Sequence, residues 1–165
     1  MNDTPATENN SENNGKAIIL GLYAGLVLAL IGQIVPVMTL QLGGALLLLV
    51  LLACAGHLRK KYPPGTNINT HAVYFIRTIW AWSFILMICL GLAGYYASTL
   101  YSYDEFLTIA QTLAAGDTSG DEVRKFGMLG LVATLPSLAY LAYRLGRGLY
   151  HALRGTNLPH PKTFF

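Results

Sequence analysis

Long apolar segments constrain this chain more than any other feature of its sequence. There are four of them, at about residues 17–35, 42–57, 73–96 and 126–143. Each approaches the roughly 20 residues that an α-helix needs to cross the hydrocarbon core of a bilayer. Inside that core the backbone must satisfy its own hydrogen bonds, and a helix does so within a single segment. The sequence therefore predicts an all-α fold, a polytopic membrane protein with four transmembrane helices.

Composition agrees with a membrane protein and excludes some partners. Hydrophobic residues make up 53% of the 165 residues, and charged residues only 12%. The net charge of +3 is not gathered on one solvated face, because the basic residues lie beside the apolar segments. We therefore expect no nucleic-acid partner. The expected partner is the lipid bilayer, and anionic phospholipid in particular.

Three regions follow from this pattern. Residues 1–15 are rich in Asn, Thr, Ser and Glu, a composition that buries too little apolar surface to fold, so we expect a disordered polar tail. Residues 16–155 form the predicted transmembrane domain, in which 144–155 is a basic amphipathic extension of the fourth span. Residues 156–165 are expected to be an extended C-terminal tail.

Small residues predict how the first two helices pack. In the first span they recur at every fourth position, which leaves one side of the helix without bulky side chains. The first two helices are therefore predicted to form a tight hairpin. The small residues are Ala17, Gly21, Gly25 and Ala29.

Three further positions predict where helices begin and end. The triplet at residues 63–65, Pro-Pro-Gly, cannot continue a helix. Asn69 or Thr70 is then suited to cap the third span through its side-chain oxygen. Gly155 is the predicted end of the basic extension.

The longest polar loop joins the third and fourth spans, and most of its charged residues are acidic. Ser102 and Glu105 have the spacing of a capping box, and apolar residues recur after them at helical spacing. We expect a short amphipathic helix in this loop.

The distribution of Lys and Arg predicts the orientation. If the N-terminus is cytoplasmic, nine of the eleven basic residues lie on the cytoplasmic side. Arg124 and Lys125 are the exceptions, and they follow the acidic loop. The positive-inside rule therefore predicts two cytoplasmic termini, four crossings and an acidic loop outside.

The residue patterns of common active sites are missing from the sequence. No Asp or Glu lies inside the four spans, although coupled carriers usually need an ionisable group there. The outer loop has no Cys, and the chain has neither a Gly-rich phosphate loop nor a zinc-protease histidine pair. We therefore expect a protein that is not an enzyme and has no metal or other cofactor.

Basic and aromatic residues near the predicted cytoplasmic ends of the helices are the candidate binding residues. They suit the head group of an anionic lipid or the carboxylate of a partner protein. Residues of the same types also anchor helices at the membrane interface, and both interpretations stay open. The candidates are Arg59, Lys60, Lys61, His71, Arg77, Trp80, Arg144, Arg147 and Arg154.

Two short blocks carry a resemblance to known membrane proteins. The blocks are His71, Phe75, Ile76, Arg77, Thr78 and Trp80, and, two spans later, Arg144, Gly148, Leu149 and residues 155–161. With its pattern of spans over about residues 16–161, the chain resembles a group of small uncharacterised bacterial inner-membrane proteins. These are similar in layout to the four-helix membrane component of the chloroplast inner-envelope import translocon. The acidic insert at residues 101–121 departs from the compact form of that group.

The resemblance implies a multi-pass protein of the bacterial inner (plasma) membrane, and it carries over no catalytic residues. We expect a scaffold or accessory subunit of a membrane assembly, either as a homo-oligomer or with another membrane-complex partner. One alternative is a small channel or permeation component, suggested by Pro136 beside Thr134 and Ser137. Another is a haem- or quinone-binding redox subunit that uses His57 and His71.

Overall fold

A computed structural model gives the fold. It describes residues 6–34, 38–117 and 119–159, and the side chains of all of these except 6–13, 34 and 38. The described residues form helices and no strand, as the sequence predicts. In chain order the helices are α1 (Ala6–Ile34), α2 (Met38–Lys61), α3 (Asn67–Leu100), α4 (Tyr103–Ala114) and α5 (Asp121–Arg154).

Four of these helices contain segments that are long and apolar enough to cross a membrane, which supports a multi-pass membrane protein. Many of their large apolar side chains are exposed, including Leu28, Leu46, Leu92 and Leu131, a pattern that suits lipid better than water. The segments are Asn14–Gln33, Thr39–Lys61, Asn67–Leu100 and Asp121–Arg154.

The helices are longer than the predicted spans. Helix α1 begins at Ala6, inside the segment that was expected to be a disordered tail. Helix α5 runs without interruption from Asp121 through Pro136 to Arg154. Once an apolar segment has nucleated a helix, each added residue forms another backbone hydrogen bond at low cost, so polar neighbours continue it. The predicted tail at 156–165 is described only as far as Pro159.

The chain forms two compact units. The first contains Met1–Ile79 and Tyr143–Phe165, and the second contains Trp80–Ala142. The predicted transmembrane domain at 16–155 thus comprises residues of both units. Most of the candidate binding residues belong to the first unit.

In the first unit α1 and α2 pack as the predicted tight hairpin. A Cβ atom on Gly44 would lie 2.6 Å from the carbonyl oxygen of Ala29, and one on Gly25 would lie 2.8 Å from the Leu51 side chain. Gly21 differs from the prediction, because a Cβ there would meet nothing within 4 Å. The contact therefore uses only part of the predicted small-residue face.

In the second unit α4 carries the predicted capping box. The Ser102 hydroxyl accepts a hydrogen bond from the Glu105 amide, and the Glu105 carboxylate accepts one from the Ser102 amide at 2.8 Å. These bonds lower the pKa of Glu105 below its usual range, the bond from the Ser102 amide most strongly. The Tyr101 hydroxyl donates to Glu122 at 2.9 Å, which raises the pKa of Tyr101.

Candidate functional site

The turn between α2 and α3 is closed by side chains of its own sequence. The Asn69 amide group donates to the carbonyl oxygens of Arg59 at 2.8 Å and Tyr62 at 2.9 Å, which are backbone acceptors at the end of α2. The Thr66 hydroxyl accepts a hydrogen bond from the backbone amide of Asn69 at 3.4 Å. The first turn of α3 is therefore capped by Thr66, and the prediction of Asn69 or Thr70 as the cap was wrong. Asn69 is used instead to hold α2.

The end of α5 confirms the prediction for Gly155. This glycine has φ of 66°, its amide donates to the Ala152 carbonyl, and the Thr156 amide donates to the His151 carbonyl at 3.1 Å. That pair of bonds is a Schellman motif, which requires a left-handed residue where glycine stands. The segment that follows is held in place, because the Asn157 side chain donates to the Gly65 carbonyl at 3.3 Å.

Helix α1 reaches the same end of the first unit. A Cβ on Gly15 would lie 3.4 Å from the Ile68 side chain. A Cβ on Gly155 would lie 2.5 Å from Cε of Lys16, so the Lys16 side chain rests against the C-terminus of α5. A cation is favourable there, since the backbone carbonyls at a helix C-terminus carry partial negative charge.

These contacts gather basic residues on one surface, which we call the cationic end. The sequence has no Asp or Glu between Glu12 and Asp104 or after Glu122. No carboxylate from residues 14–79 or 143–159 therefore offsets this charge. The cationic end consists of Lys16, Arg59, Lys60, Lys61 and Arg154.

Behind the cationic end, α1, α3 and the segment after α5 meet at a buried histidine. The His71 side chain is fully buried. Its Nε2 lies 3.4 Å from the carbonyl oxygen of Thr156, and its Nδ1 lies 3.1 Å from the Tyr23 hydroxyl. A carbonyl can only accept a hydrogen bond, so Nε2 is the donor. In the neutral ring Nδ1 then accepts, and Tyr23 donates to it.

One helical turn further along α3, a buried arginine joins α3 to α5. Arg144 has an exposed fraction of 0%, and its guanidinium carbon lies 3.8 Å from the centre of the Tyr74 ring. Its Nε donates to the Thr78 hydroxyl at 3.1 Å. The Tyr74 hydroxyl donates in return to the Arg144 carbonyl at 3.0 Å. Two residues of α3 therefore hold both the side chain and the backbone of one residue of α5.

A glycine of α5 makes room for this arrangement. Any Cβ on Gly148 would overlap the Tyr23 hydroxyl and ring. Glycine at position 148 is therefore what lets Tyr23 approach α5 closely while it bonds to His71. We refer to Tyr23, His71, Tyr74, Thr78 and Arg144 as the polar core.

The structure separates the predicted binding residues into three groups by burial. His71 and Arg144 lie inside the protein, although the sequence analysis expected them at the membrane interface. The physical reason is that Tyr23, Tyr74 and Thr78 offer these polar side chains partners inside the unit. Arg77 and Arg147 are half-buried. The exposed residues are Arg59, Lys60, Lys61, Trp80 and Arg154, of which Trp80 belongs to the second unit.

The partners of these residues were not predicted from the sequence. The α3 part of the core has a visible signal, because His71, Tyr74, Phe75 and Thr78 recur at the spacing of one helix face and all are buried. No comparable signal marks Tyr23, a single phenol in an otherwise apolar span. Its role appears only once α1, α3 and α5 are brought together.

The residues that suggested a redox subunit or a channel have the following surroundings. His57 is exposed, while His71 is engaged through both ring nitrogens. Within the described ranges, no group of three or more His, Cys, Asp or Glu residues is placed to hold a metal ion. The hydroxyls of Thr134 and Ser137 donate at 2.8 Å to the carbonyls of Leu131 and Thr134 in their own helix. These hydroxyls are thus occupied locally.

No model of a known protein family, no curated protein and no solved structure matches this chain.

Proposed function

We propose that this chain is a non-enzymatic multi-pass protein of a bacterial inner membrane that serves as a scaffold or accessory subunit of a membrane assembly. The cationic end binds the acidic surface of a cytoplasmic partner or the head groups of anionic lipid. The observation that supports this most is that α1, α2 and α5 bring basic residues to one surface, and that residues 14–79 and 143–159 contain no Asp or Glu. The polar core beneath it makes that surface rigid.

The charge on this surface is large enough to matter energetically. Each Lys or Arg next to an anionic leaflet contributes about 1 kcal/mol of attraction, within a Debye length of the surface. A flexible basic tail would gain the same attraction, but it could not offer a fixed arrangement of charges to one partner. A rigid cationic end with a polar core behind it therefore suits a scaffold.

The proposed orientation places both termini in the cytoplasm and the loop that contains α4 outside. In a background with Cys54→Ala and Cys89→Ala, we expect Ser119→Cys to react with a membrane-impermeant maleimide added to spheroplasts. Lys60→Cys should react only after the membrane is permeabilised. Both positions are exposed, so a difference in labelling reports sidedness. If only Lys60→Cys were labelled in sealed spheroplasts, the orientation would be the opposite of the one proposed.

The scaffold role predicts that partner binding depends on charge. The test is a triple variant, Arg59→Gln with Lys60→Gln and Lys61→Gln. In native membranes it should recover far less of the cross-linked partner than the wild type does. If each charge contributes about 1 kcal/mol, the affinity for the partner falls roughly 100-fold. The matched control is Arg124→Gln with Lys125→Gln, which removes basic residues from the second unit. Equal recovery of cross-linked partner from both variants would refute the proposal.

A further inference from the structure

An apolar groove runs between α1 and the last part of α5 in the first unit. It is open along one side and encloses about 560 Å³. Its outer rim is exposed, since Val27, Leu28 and Leu149 have exposed fractions of 45%, 62% and 40%. Tyr23 and Leu145 line its floor, and the other lining residues are Leu20, Ala24, Val27, Leu28, Gly146 and Leu149.

Small residues keep the groove open. A Cβ on Gly146 would meet nothing within 4 Å, so the space above this glycine is unfilled by the protein. Ala24 also lines the groove and is exposed. In a bilayer such a space does not stay empty, because lipid chains or another helix fill it.

One end of the groove meets the cationic end. Lys16 lies one helical turn before Leu20, and its side chain rests against Gly155, the residue that follows Arg154. On α5, Arg154 lies about two turns beyond Gly146, at the end of the helix. The guanidinium of Arg154 is 4.3 Å from the centre of the Tyr150 ring. Lys16 of α1 and Arg154 at the end of α5 therefore both belong to the end of the first unit that the groove approaches.

The length of the groove fits one leaflet. From Lys16 to Leu28, α1 rises roughly 18 Å at about 1.5 Å per residue. Half of the hydrocarbon core of a bilayer is roughly 15 Å. With Lys16 and Arg154 at the head-group level, a chain that follows the groove to Leu28 would reach about the middle of the membrane.

We propose that this groove is a binding site for one anionic diacyl phospholipid of the leaflet at the cationic end. An acyl chain lies along Ala24 and Gly146, and the phosphate lies between Lys16 and Arg154. The site rests on the proposed function only in that it uses two residues of the cationic end. Binding is selective for charge because two cations meet one phosphodiester, and residues 14–79 and 143–159 contain no Asp or Glu that would compete for them.

A second copy of the chain suits the groove less well. In a symmetric dimer formed through this face, the Lys16 and Arg154 side chains of one copy would approach the same cations of the other. Residues 14–79 and 143–159 contain no Asp or Glu to offset that repulsion. An anionic lipid removes the problem, because it brings the missing negative charge.

Gly146→Leu tests the apolar half of the site. The protein is placed in nanodiscs that contain equal amounts of phosphatidylglycerol and phosphatidylcholine, and the lipid retained is measured by native mass spectrometry. The wild type should retain one phosphatidylglycerol, and Gly146→Leu should reduce its occupancy at least tenfold. Gly130→Leu is the matched control, since it lies in the same helix and a Cβ there also meets nothing within 4 Å. Equal lipid retention by the two variants overturns the proposal, as does a dimer without bound lipid.

Lys16→Gln with Arg154→Gln tests the polar half. Each lost charge should weaken retention of phosphatidylglycerol about fivefold and leave retention of phosphatidylcholine unchanged. A wild type that retains the two lipids equally binds ordinary boundary lipid, and the site is then refuted. This outcome is distinct from failure of the scaffold role, which is read from partner cross-linking in the variant at residues 59–61.

Discussion

Gly148→Ala should lower the thermal stability of the protein sharply, whereas Gly146→Ala, two residues earlier in the same helix, should not lower it. At Gly148 the added methyl group would overlap the Tyr23 hydroxyl and ring, while at Gly146 it would meet nothing within 4 Å. Tyr23 has an exposed fraction of only 4% and its hydroxyl bonds to His71, so moving its ring aside breaks a buried contact with α3.

The expected cost of Gly148→Ala follows from the contacts that must change. Overpacking of a well-packed interior costs about 1–3 kcal/mol. Displacement of Tyr23 also breaks its hydrogen bond to His71, which contributes about 1 kcal/mol more. The measurement is the fraction of monodisperse protein that remains after heating in detergent. The two alanine variants have the same change in helix propensity, so the difference between their melting curves reports the clash alone.

A second substitution identifies the clash as the cause. Tyr23→Ala alone should destabilise the protein, because it leaves a cavity beside His71. Combined with Gly148→Ala, it should cost clearly less than the sum of the two single changes, since the overlap no longer exists. Additive effects, or a Gly148→Ala variant as stable as Gly146→Ala, would show that α5 and α1 do not meet as described.

The all-α fold and the four membrane-length helices were predictable because both depend on local sequence. The length of an apolar run sets where a helix can cross, and Gly155 sets where α5 ends. The capping box at Ser102 and Glu105 is equally local, since both of its hydrogen bonds join residues three apart. The start of α1 was misjudged for the converse reason, because a polar segment that would be disordered alone continues a helix that already exists.

The polar core was not predictable in the same way. Burial of His71 and Arg144 depends on Tyr23 and Tyr74, and the two halves of each pair lie far apart in the sequence. In a single sequence an arginine near a helix end is equally consistent with an interface anchor and with a buried partner of an aromatic ring. Tyr74 decides between them by covering the guanidinium, and nothing in its immediate neighbours indicates that Arg144 is opposite.

Arg144→Ala should be among the most destabilising single substitutions in the first unit. The change removes a desolvated contact between the guanidinium and the Tyr74 ring, worth about 2 kcal/mol, and leaves a cavity that costs a similar amount. Arg144→Lys should restore little of this, because an ammonium lacks the planar group that stacks on Tyr74 while donating to Thr78. Arg147→Ala, a half-buried control one turn away, should change stability by no more than about 0.5 kcal/mol.

Substitutions of Tyr74 separate its two contacts with Arg144, the ring against the guanidinium and the hydroxyl to the backbone carbonyl. Tyr74→Phe keeps the ring over the guanidinium but loses the hydrogen bond to the Arg144 carbonyl, so it should cost only about 1 kcal/mol. Tyr74→Leu removes the ring and leaves a buried cation, and it should cost far more. Combined with Arg144→Ala, Tyr74→Leu should add little, since Arg144→Ala has already removed the contact between the guanidinium and the ring. If Arg144→Ala unfolded no earlier than Arg147→Ala on heating in detergent, the guanidinium would not be a structural element of the core.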